Sequence, residues 1–125
     1  MRRIVQTKSA PKPLGAYSQA VRAGQFLFVS GQLGIDPETG EMVSDNIREQ
    51  TRQALENIKA ILQAENYSFR EVVQVNIYLS STKQFSEFNS EYAQHFTTDP
   101  PARVTVGVEL GLGALVEISV IAYRE

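Results

Sequence analysis

The stretch NIREQTRQALENIKAILQA, residues 46–64, carries the clearest helical pattern of the chain. Its apolar residues recur at intervals of three and four, which places them on one side of a helix and predicts a helix over 47–64. Asn46 followed three places later by Glu49 resembles a capping box, so the helix should begin directly after Asn46. The apolar side of such a helix must pack against another element. Its residues are Ile47, Ala54, Leu55, Ile58, Ile61 and Leu62.

Downstream of this helix the apolar period changes from helical to alternating. Residues 73–79 alternate apolar and polar side chains, which predicts a strand. A second helix is expected over 82–96, where four aromatic residues at helical spacing indicate a core-facing side rather than a stacking platform for nucleic acid. Two closing strands are expected near 103–109 and 115–123. The four aromatic residues are Phe85, Phe88, Tyr92 and Phe96.

Upstream of the first helix the sequence predicts a β-hairpin. Residues 17–22 and 25–30 are strand-like, and Ala23-Gly24 between them suits a tight turn. Residues 31–45 read as a loop. No repeat or linker divides the chain, so residues 1–125 are expected to form a single domain. The order of elements indicates an α+β fold in which two helices cover one face of a sheet of about five or six strands.

Strand alternation predicts which side chains the helices leave uncovered. Val104, Val106 and Val108 share one side of the first closing strand, and the uniformly apolar sides should face the helices. That assignment leaves Arg103 and Glu117 together on the uncovered face, among several apolar residues. Because a half-apolar face is rarely left in water, we expect it to pack against copies of the same chain.

Composition excludes several classes of function. The chain has 125 residues, a net charge of −2, no cysteine and a single histidine, His95. Thiolate nucleophiles, disulfides and cysteine or histidine metal sites are therefore excluded, and neither a metal nor a cofactor is expected. The net charge gives no general attraction to nucleic acid, and no apolar run is long enough to span a bilayer. The cytoplasm is the default location.

Two charged residues on the closing strands are the candidates for chemistry. Arg103 has the planar, permanently charged group that holds a carboxylate by both oxygens, and the alternative is a structural ion pair, for example with Glu117. Glu117 interrupts an apolar strand, so it is either paired or poised for proton transfer. Tyr17 and Asn89 are weaker candidates, and His95, near a helix end, is interpreted as structural.

Four ordered motifs resemble a known family, and the resemblance covers essentially the whole chain. The family is that of the RidA proteins, also called the YjgF family, which are reactive intermediate (enamine/imine) deaminases. The motifs are Leu14-Gly15-Ala16-Tyr17-Ser18-Gln19-Ala20, Val29-Ser30-Gly31-Gln32-Leu33, Phe88-Asn89-Ser90-Glu91-Tyr92, and Pro101-Ala102-Arg103-Val104-Thr105-Val106 followed by Val116-Glu117-Ile118.

The resemblance implies a fold, an assembly and a reaction. It implies a chorismate-mutase-like fold, with a mixed sheet and two helices on one face, in a homotrimer with a central barrel and pockets between subunits. The implied activity is that of a 2-iminobutanoate/2-iminopropanoate deaminase, which hydrolyses enamine and imine intermediates of the 2-aminoacrylate type to 2-keto acids and ammonia. Arg103 would bind the carboxylate and Glu117 would position or activate water. The implied pocket lining is Tyr17, Ser30, Gly31, Asn89 and Thr105.

Three departures from the family pattern bear on substrate range. Ala16 stands where a proline is usual, Ser119 replaces an acidic residue, and residues 109–114 are one residue shorter than usual and lack a proline. They leave open a non-catalytic trimer that binds 2-keto acids as a sensor or regulator, or whose surface engages another protein. RNA binding or cleavage is a third possibility, against which the acidic net charge and the lack of a second histidine weigh.

Overall fold

The first helix has the bounds that the sequence predicts. In the computed structural model, which describes residues 1–125, α1 spans Ile47–Ala64. The side chain of Asn46 accepts a hydrogen bond from the backbone N–H of Glu49 at 3.1 Å, which satisfies one of the free donors of the first turn. All six predicted core residues of α1 are buried. The helical period therefore located both the helix and its packed side.

Six strands form one mixed sheet. The strands are β1 (Arg2–Val5), β2 (Ala20–Ala23), β3 (Phe26–Gln32), β4 (Val72–Leu79), β5 (Ala102–Gly107) and β6 (Val116–Tyr123), and the second helix, α2, spans Phe85–Ala93. The spatial order is β1-β2-β3-β6-β4-β5, and only β4 and β5 run parallel to each other. α1 and α2 share one core cluster with the buried side of the sheet. This α+β arrangement is the predicted fold class.

Several element boundaries differ from the predicted ones. β1 was not predicted, because two arginines in four residues hide its apolar pattern. Tyr17 lies before β2 rather than in it. α2 is preceded by a 3-10 turn and ends at Ala93 instead of residue 96. In β4 the register shifts between Val72 and Gln74, so Val72 is buried and Val73 is exposed.

The predicted orientation of β5 is wrong, and that of β6 is right. In β5, Val104 and Val106 are 51% and 41% exposed. Arg103 pairs in register with Val75, and Thr105 pairs with Ile77. Because the partners in β4 are fully buried under the helices, Arg103 and Thr105 lie on the helix side. Alternation separates the two faces of a strand but does not determine which one meets the helices, and the apolar face of this edge strand points away from them.

The sheet face without helices is extensively apolar. The register between neighbouring strands shows which residues share this face across the sheet, from β1 at one edge to β5 at the other. Phe26 and Phe28 are 42% and 44% exposed on it. Glu117 lies on the same face, opposite Tyr78 of β4. The half-apolar face expected from the sequence is present. Its further apolar residues are Ile4, Val104, Val106 and Ile121.

Candidate functional site

Arg103 is held by α2 and not by a carboxylate. Its Nη1 donates a hydrogen bond to Asn89 Oδ1 at 2.8 Å. Its guanidinium carbon lies 4.8 Å from the ring centre of Tyr92, 5.5 Å from that of Phe85 and 5.8 Å from that of Phe88. No ion pair of the protein includes Arg103. The interpretation of Arg103 as a structural ion pair with Glu117 is therefore wrong.

The cleft beside Arg103 suits a small anion. Aromatic faces stabilise the guanidinium charge without neutralising it. Four of the five guanidinium N–H groups remain after the bond to Asn89, enough to hold both oxygens of a carboxylate. The two prolines that precede β5 form one wall of the cleft. Its lining residues are Asn89, Tyr92, Ala93, Phe96, Pro100, Pro101 and Arg103.

Two hydroxyl groups near Arg103 are buried without hydrogen-bond partners. They are the Tyr92 Oη and the Thr105 Oγ1. Burial raises the pKa of the Tyr92 phenol, while the charge of Arg103 and the closeness of its N–H groups act in the opposite direction, although no hydrogen bond of normal geometry joins the two side chains. Both residues belong to the helix side of the sheet, as Arg103 does. The aromatic spacing of α2 predicted a core side for Tyr92, but gave no sign that its ring would face an arginine.

Glu117 stands in a separate cleft on the open face. Its carboxylate takes part in no ion pair or hydrogen bond within the chain. Gly31 packs directly against it: a methyl group added there would lie 2.9 Å from the Glu117 carboxyl carbon. Only a glycine leaves room for this carboxylate. The other lining residues are Tyr78, Val108, Glu109, Leu110 and Ser119.

Tyr17 and Ser30 lie around the same glycine. Tyr17 is 49% exposed, and its hydroxyl accepts a hydrogen bond from the backbone N–H of Leu14 at 3.1 Å. It lines a small cleft together with Gly31. The Ser30 hydroxyl donates to the carbonyl of Ser18 at 2.6 Å. Tyr17, Ser30, Gly31 and Glu117 therefore form one group.

Buried glutamines hold the loops around this group, and the sequence interpretation missed them. The Gln19 amide donates to the carbonyls of Thr7, Ala10 and Pro11, at 3.0, 3.2 and 2.9 Å. Gln50 of α1 accepts from the backbone N–H of Leu115 at 2.8 Å and donates to loop carbonyls. A polar residue inside the apolar side of α1 was the signal that could have identified Gln50.

One chain does not bring the two charged residues together. Arg103, Asn89 and Thr105 lie on the helix side of the sheet, whereas Glu117 lies on the open side. Successive side chains of a strand point to opposite faces, so a small change of backbone would not unite them. Of the seven predicted site residues, Arg103 and Asn89 line the first cleft, and Gly31 and Glu117 line the second.

The remaining candidates lie outside both clefts. His95 Nε2 is 3.1 Å from Glu91 Oε2, which agrees with the structural interpretation of that histidine. No group of three or more His, Cys, Asp or Glu residues is arranged to hold a metal ion. No helix has the length and apolar character needed to cross a bilayer.

Comparisons with known proteins agree along the whole chain. Residues 7–124 match the family model described as endoribonuclease L-PSP. A RutC family protein of Pyrococcus horikoshii is 51% identical over 126 residues, covering 100% of both chains. A 2-iminobutanoate/2-iminopropanoate deaminase of Dermatophagoides farinae is 42% identical, covering 99% of this chain and 98% of its own. The structure of E. coli TdcF with bound serine has a TM-score of 0.94 at 33% identity, covering 98% and 99%.

Proposed function

The chain belongs to the endoribonuclease L-PSP family, the family of the RidA (YjgF) proteins. From this membership we propose that the protein is a 2-iminobutanoate/2-iminopropanoate deaminase. Such an enzyme hydrolyses reactive enamine and imine intermediates to 2-keto acids and ammonia. The observation that carries the proposal is Arg103, a half-buried guanidinium held in place by Asn89 and aromatic rings with no carboxylate partner. The relative named as a deaminase and the serine-bound structure support a small substrate that carries a carboxylate.

Arg103 anchors the substrate carboxylate in this proposal. Two of its free N–H groups hold the two carboxylate oxygens, and Asn89 keeps the guanidinium plane oriented. Fixing the carboxylate also fixes the adjacent imine carbon. Holding the reacting atoms in place is a large part of what catalysis requires for a compound that hydrolyses readily without an enzyme. Thr105, which lies on the same side of β5 as Arg103, is the remaining proposed lining residue at this end of the shared pocket.

Glu117 activates the attacking water and transfers protons in this proposal. As a carboxylate it accepts a proton from water as the water oxygen bonds to the imine carbon, which gives a carbinolamine. With the imine protonated at the start, return of this proton makes the carbinolamine nitrogen an ammonium group; the carbon–nitrogen bond then breaks, ammonia leaves, and the hydroxyl proton passes to Glu117 as the keto group forms. The balance is one imino acid and one water to one 2-keto acid and one ammonia. No metal, cofactor or covalent nucleophile enters. Tyr17, Ser30 and Gly31 line the pocket around Glu117.

The complete site forms between copies of the chain in a homotrimer. The number three comes from the family resemblance, and two observations support an assembly of several copies. Arg103 and Glu117 occupy opposite faces of one sheet, so a site that uses both requires two protomers. The open face also exposes Phe26, Phe28 and Val104, and clustered exposed apolar side chains of this kind often mark a surface that packs against another protein chain. A shared pocket in a trimer explains both observations at once.

A carboxylate-binding sensor is the second candidate. It is favoured by the lack of any hydrogen bond that would hold Glu117 in one orientation, beside a loop that contains Gly111 and Gly113. Binding through Arg103 would then proceed without turnover. Cleavage of RNA, which the family description suggests, has less support. The net charge is −2, and His95 lies outside both clefts.

A trap competition assay tests the proposal. An amino acid oxidase generates the imino acid, semicarbazide traps it, and the protein competes with the trap. We expect rapid clearance by the wild type, loss of clearance in Arg103→Ala and a reduction of about a hundredfold in Glu117→Gln. Arg48→Ala, which removes an exposed arginine of α1, is the control. Clearance unaffected by Arg103→Ala would contradict the proposal, and binding of 2-ketobutyrate without turnover would favour the sensor.

A further inference from the structure

α2 has few local features that would hold it in one orientation. It spans nine residues, and the side-chain cap before it, in which Ser81 accepts from the Lys83 N–H, belongs to the preceding 3-10 turn and not to the first turn of α2. Helices of this length are only marginally stable alone in water, so tertiary contacts must set the position of α2. That position matters because Asn89 and three aromatic rings of α2 surround Arg103.

Glu91 makes more polar side-chain contacts than any other residue of α2. Its side chain is 3% exposed. Arg52 of α1 donates to both of its oxygens, from Nε to Oε2 and from Nη2 to Oε1, each at 3.2 Å. His95 Nε2 lies 3.1 Å from the same Oε2. Burial alone would raise the pKa of Glu91, but these hydrogen bonds and charges outweigh it and lower that pKa.

The geometry of the Arg52 pair restrains rotation of the helix. Two parallel N–H···O bonds from one guanidinium define a plane, so the Glu91 carboxylate cannot turn without losing one of them. Arg52 is itself part of an eighteen-residue helix. α2 is therefore fixed against α1 at the position of Glu91.

The residues that hold Arg103 are sequence neighbours of Glu91. Asn89 precedes it by two positions, and Tyr92 follows it directly. A rotation of α2 that broke the Arg52–Glu91 pair would move the Asn89 Oδ1 from Arg103 Nη1, now 2.8 Å away. It would also shift the Tyr92 ring under the guanidinium carbon, now at 4.8 Å.

We propose that Glu91 is the positioning residue of the carboxylate anchor: clamped by Arg52, it fixes the orientation of α2 and, through Asn89 and Tyr92, that of the Arg103 guanidinium. Glu91 does not touch the substrate. The proposal rests on the proposed function only in taking Arg103 as the anchor.

Calorimetric titration of the full protein with 2-ketobutyrate tests this role. Glu91→Gln keeps the shape of the side chain and removes its charge. We expect its Kd to rise about tenfold with unchanged stoichiometry, because misplaced binding groups lose affinity at every intact site. A purely structural role would instead reduce the fraction of competent protein, which lowers the stoichiometry and leaves the Kd unchanged. That second pattern, or a wild-type Kd at full stoichiometry, overturns the proposal.

Matched variants complete the test. Glu87→Gln makes the same change on the same helix at a side chain that is 60% exposed and 3.9 Å from Arg48, and it should bind as the wild type does. Arg52→Lys keeps the charge but loses the two-donor geometry, so we expect a Kd between those of wild type and Glu91→Gln. If Glu91→Gln does not fold, Arg52→Lys decides, and a wild-type Kd overturns the proposal.

Arg103→Ala separates this inference from the proposed function. If Arg103→Ala loses 2-ketobutyrate binding while Glu91→Gln binds normally, only the proposed role of Glu91 is refuted. If Arg103→Ala binds 2-ketobutyrate normally, Arg103 is not the carboxylate anchor, and the positioning role of Glu91 is refuted as well.

Discussion

A methyl group added at Gly31 should separate activity from stability. The Cβ of Gly31→Ala would lie 2.9 Å from the carboxyl carbon of Glu117 and 3.1 Å from its Cγ. Both distances are shorter than carbon–carbon contact at about 3.5–4.0 Å. The backbone of Gly31 is not in the left-handed region, so alanine fits the backbone, and the Glu117 side chain must move.

The two consequences have different magnitudes. Moving a flexible glutamate into another rotamer costs about 0.5–1.5 kcal/mol if the new position is off-rotamer, and Gly→Ala returns about 0.4–1 kcal/mol through the unfolded chain. We therefore expect the free energy of unfolding to change by less than about 1 kcal/mol. A displacement of about 1 Å at a catalytic group costs about a hundredfold in rate, and we expect imine clearance to fall by that factor.

Urea unfolding and the semicarbazide competition measure the two quantities. Gly111→Ala is the matched control, because a Cβ at Gly111 meets nothing within 4 Å, and its clearance should equal that of wild type. Gly31→Ala with wild-type clearance would refute the assignment of Glu117 as the group that handles water. A loss of several kcal/mol in stability would refute the view that only the glutamate side chain is displaced.

Three further expectations concern buried polar groups. Although burial acts in the opposite direction, Arg52 and His95 lower the pKa of Glu91. Ionised Glu91 therefore stabilises the fold at a pH above the ordinary carboxyl pKa. This stabilisation is lost as the pH falls through the pKa that Glu91 has in the folded protein. The difference in unfolding free energy between wild type and Glu91→Gln, measured in urea, should have its full value at about pH 6 and should shrink as the pH falls below about 4. A difference that stays constant with pH would contradict this. Tyr92→Phe removes a buried hydroxyl that makes no hydrogen bond. In thermal denaturation this variant should be as stable as the wild type or more stable by up to about 1 kcal/mol. A loss of more than about 2 kcal/mol would show that the hydroxyl does make a hydrogen bond. Gln50→Ala removes hydrogen bonds to Ser44, Gly113 and Leu115 and should cost about 2–3 kcal/mol, and a loss below about 0.5 kcal/mol would contradict its role in holding the loop.

Local patterns predicted the elements well where the signal was periodic. α1 and its packed side followed from the spacing of its apolar residues, and Gly24, with φ of 61°, occupies the predicted turn. The alternation in β6 also identified its buried side. These features depend on residues close in sequence, so the sequence alone was sufficient for them.

The site depended on relations that local patterns do not contain. The alternation of β5 gives two faces but not which one meets α2, and the wrong choice put Arg103 beside Glu117. Arg103 was expected to be exposed on the open face, whereas it contacts Asn89 and Tyr92 of α2. The contact of Gly31 with Glu117 joins β3 to β6, eighty-six positions apart, and only the sheet register places them together.

The most direct test of the shared carboxylate site is a crystal structure of the protein with 2-ketobutyrate bound. We expect the ligand carboxylate to accept hydrogen bonds from Arg103 of one protomer at about 2.7–2.9 Å, with Glu117 of a neighbouring protomer facing the ligand carbonyl carbon. A ligand bound away from Arg103, or a ligand on Arg103 with Glu117 of every copy turned away from it, would contradict the account.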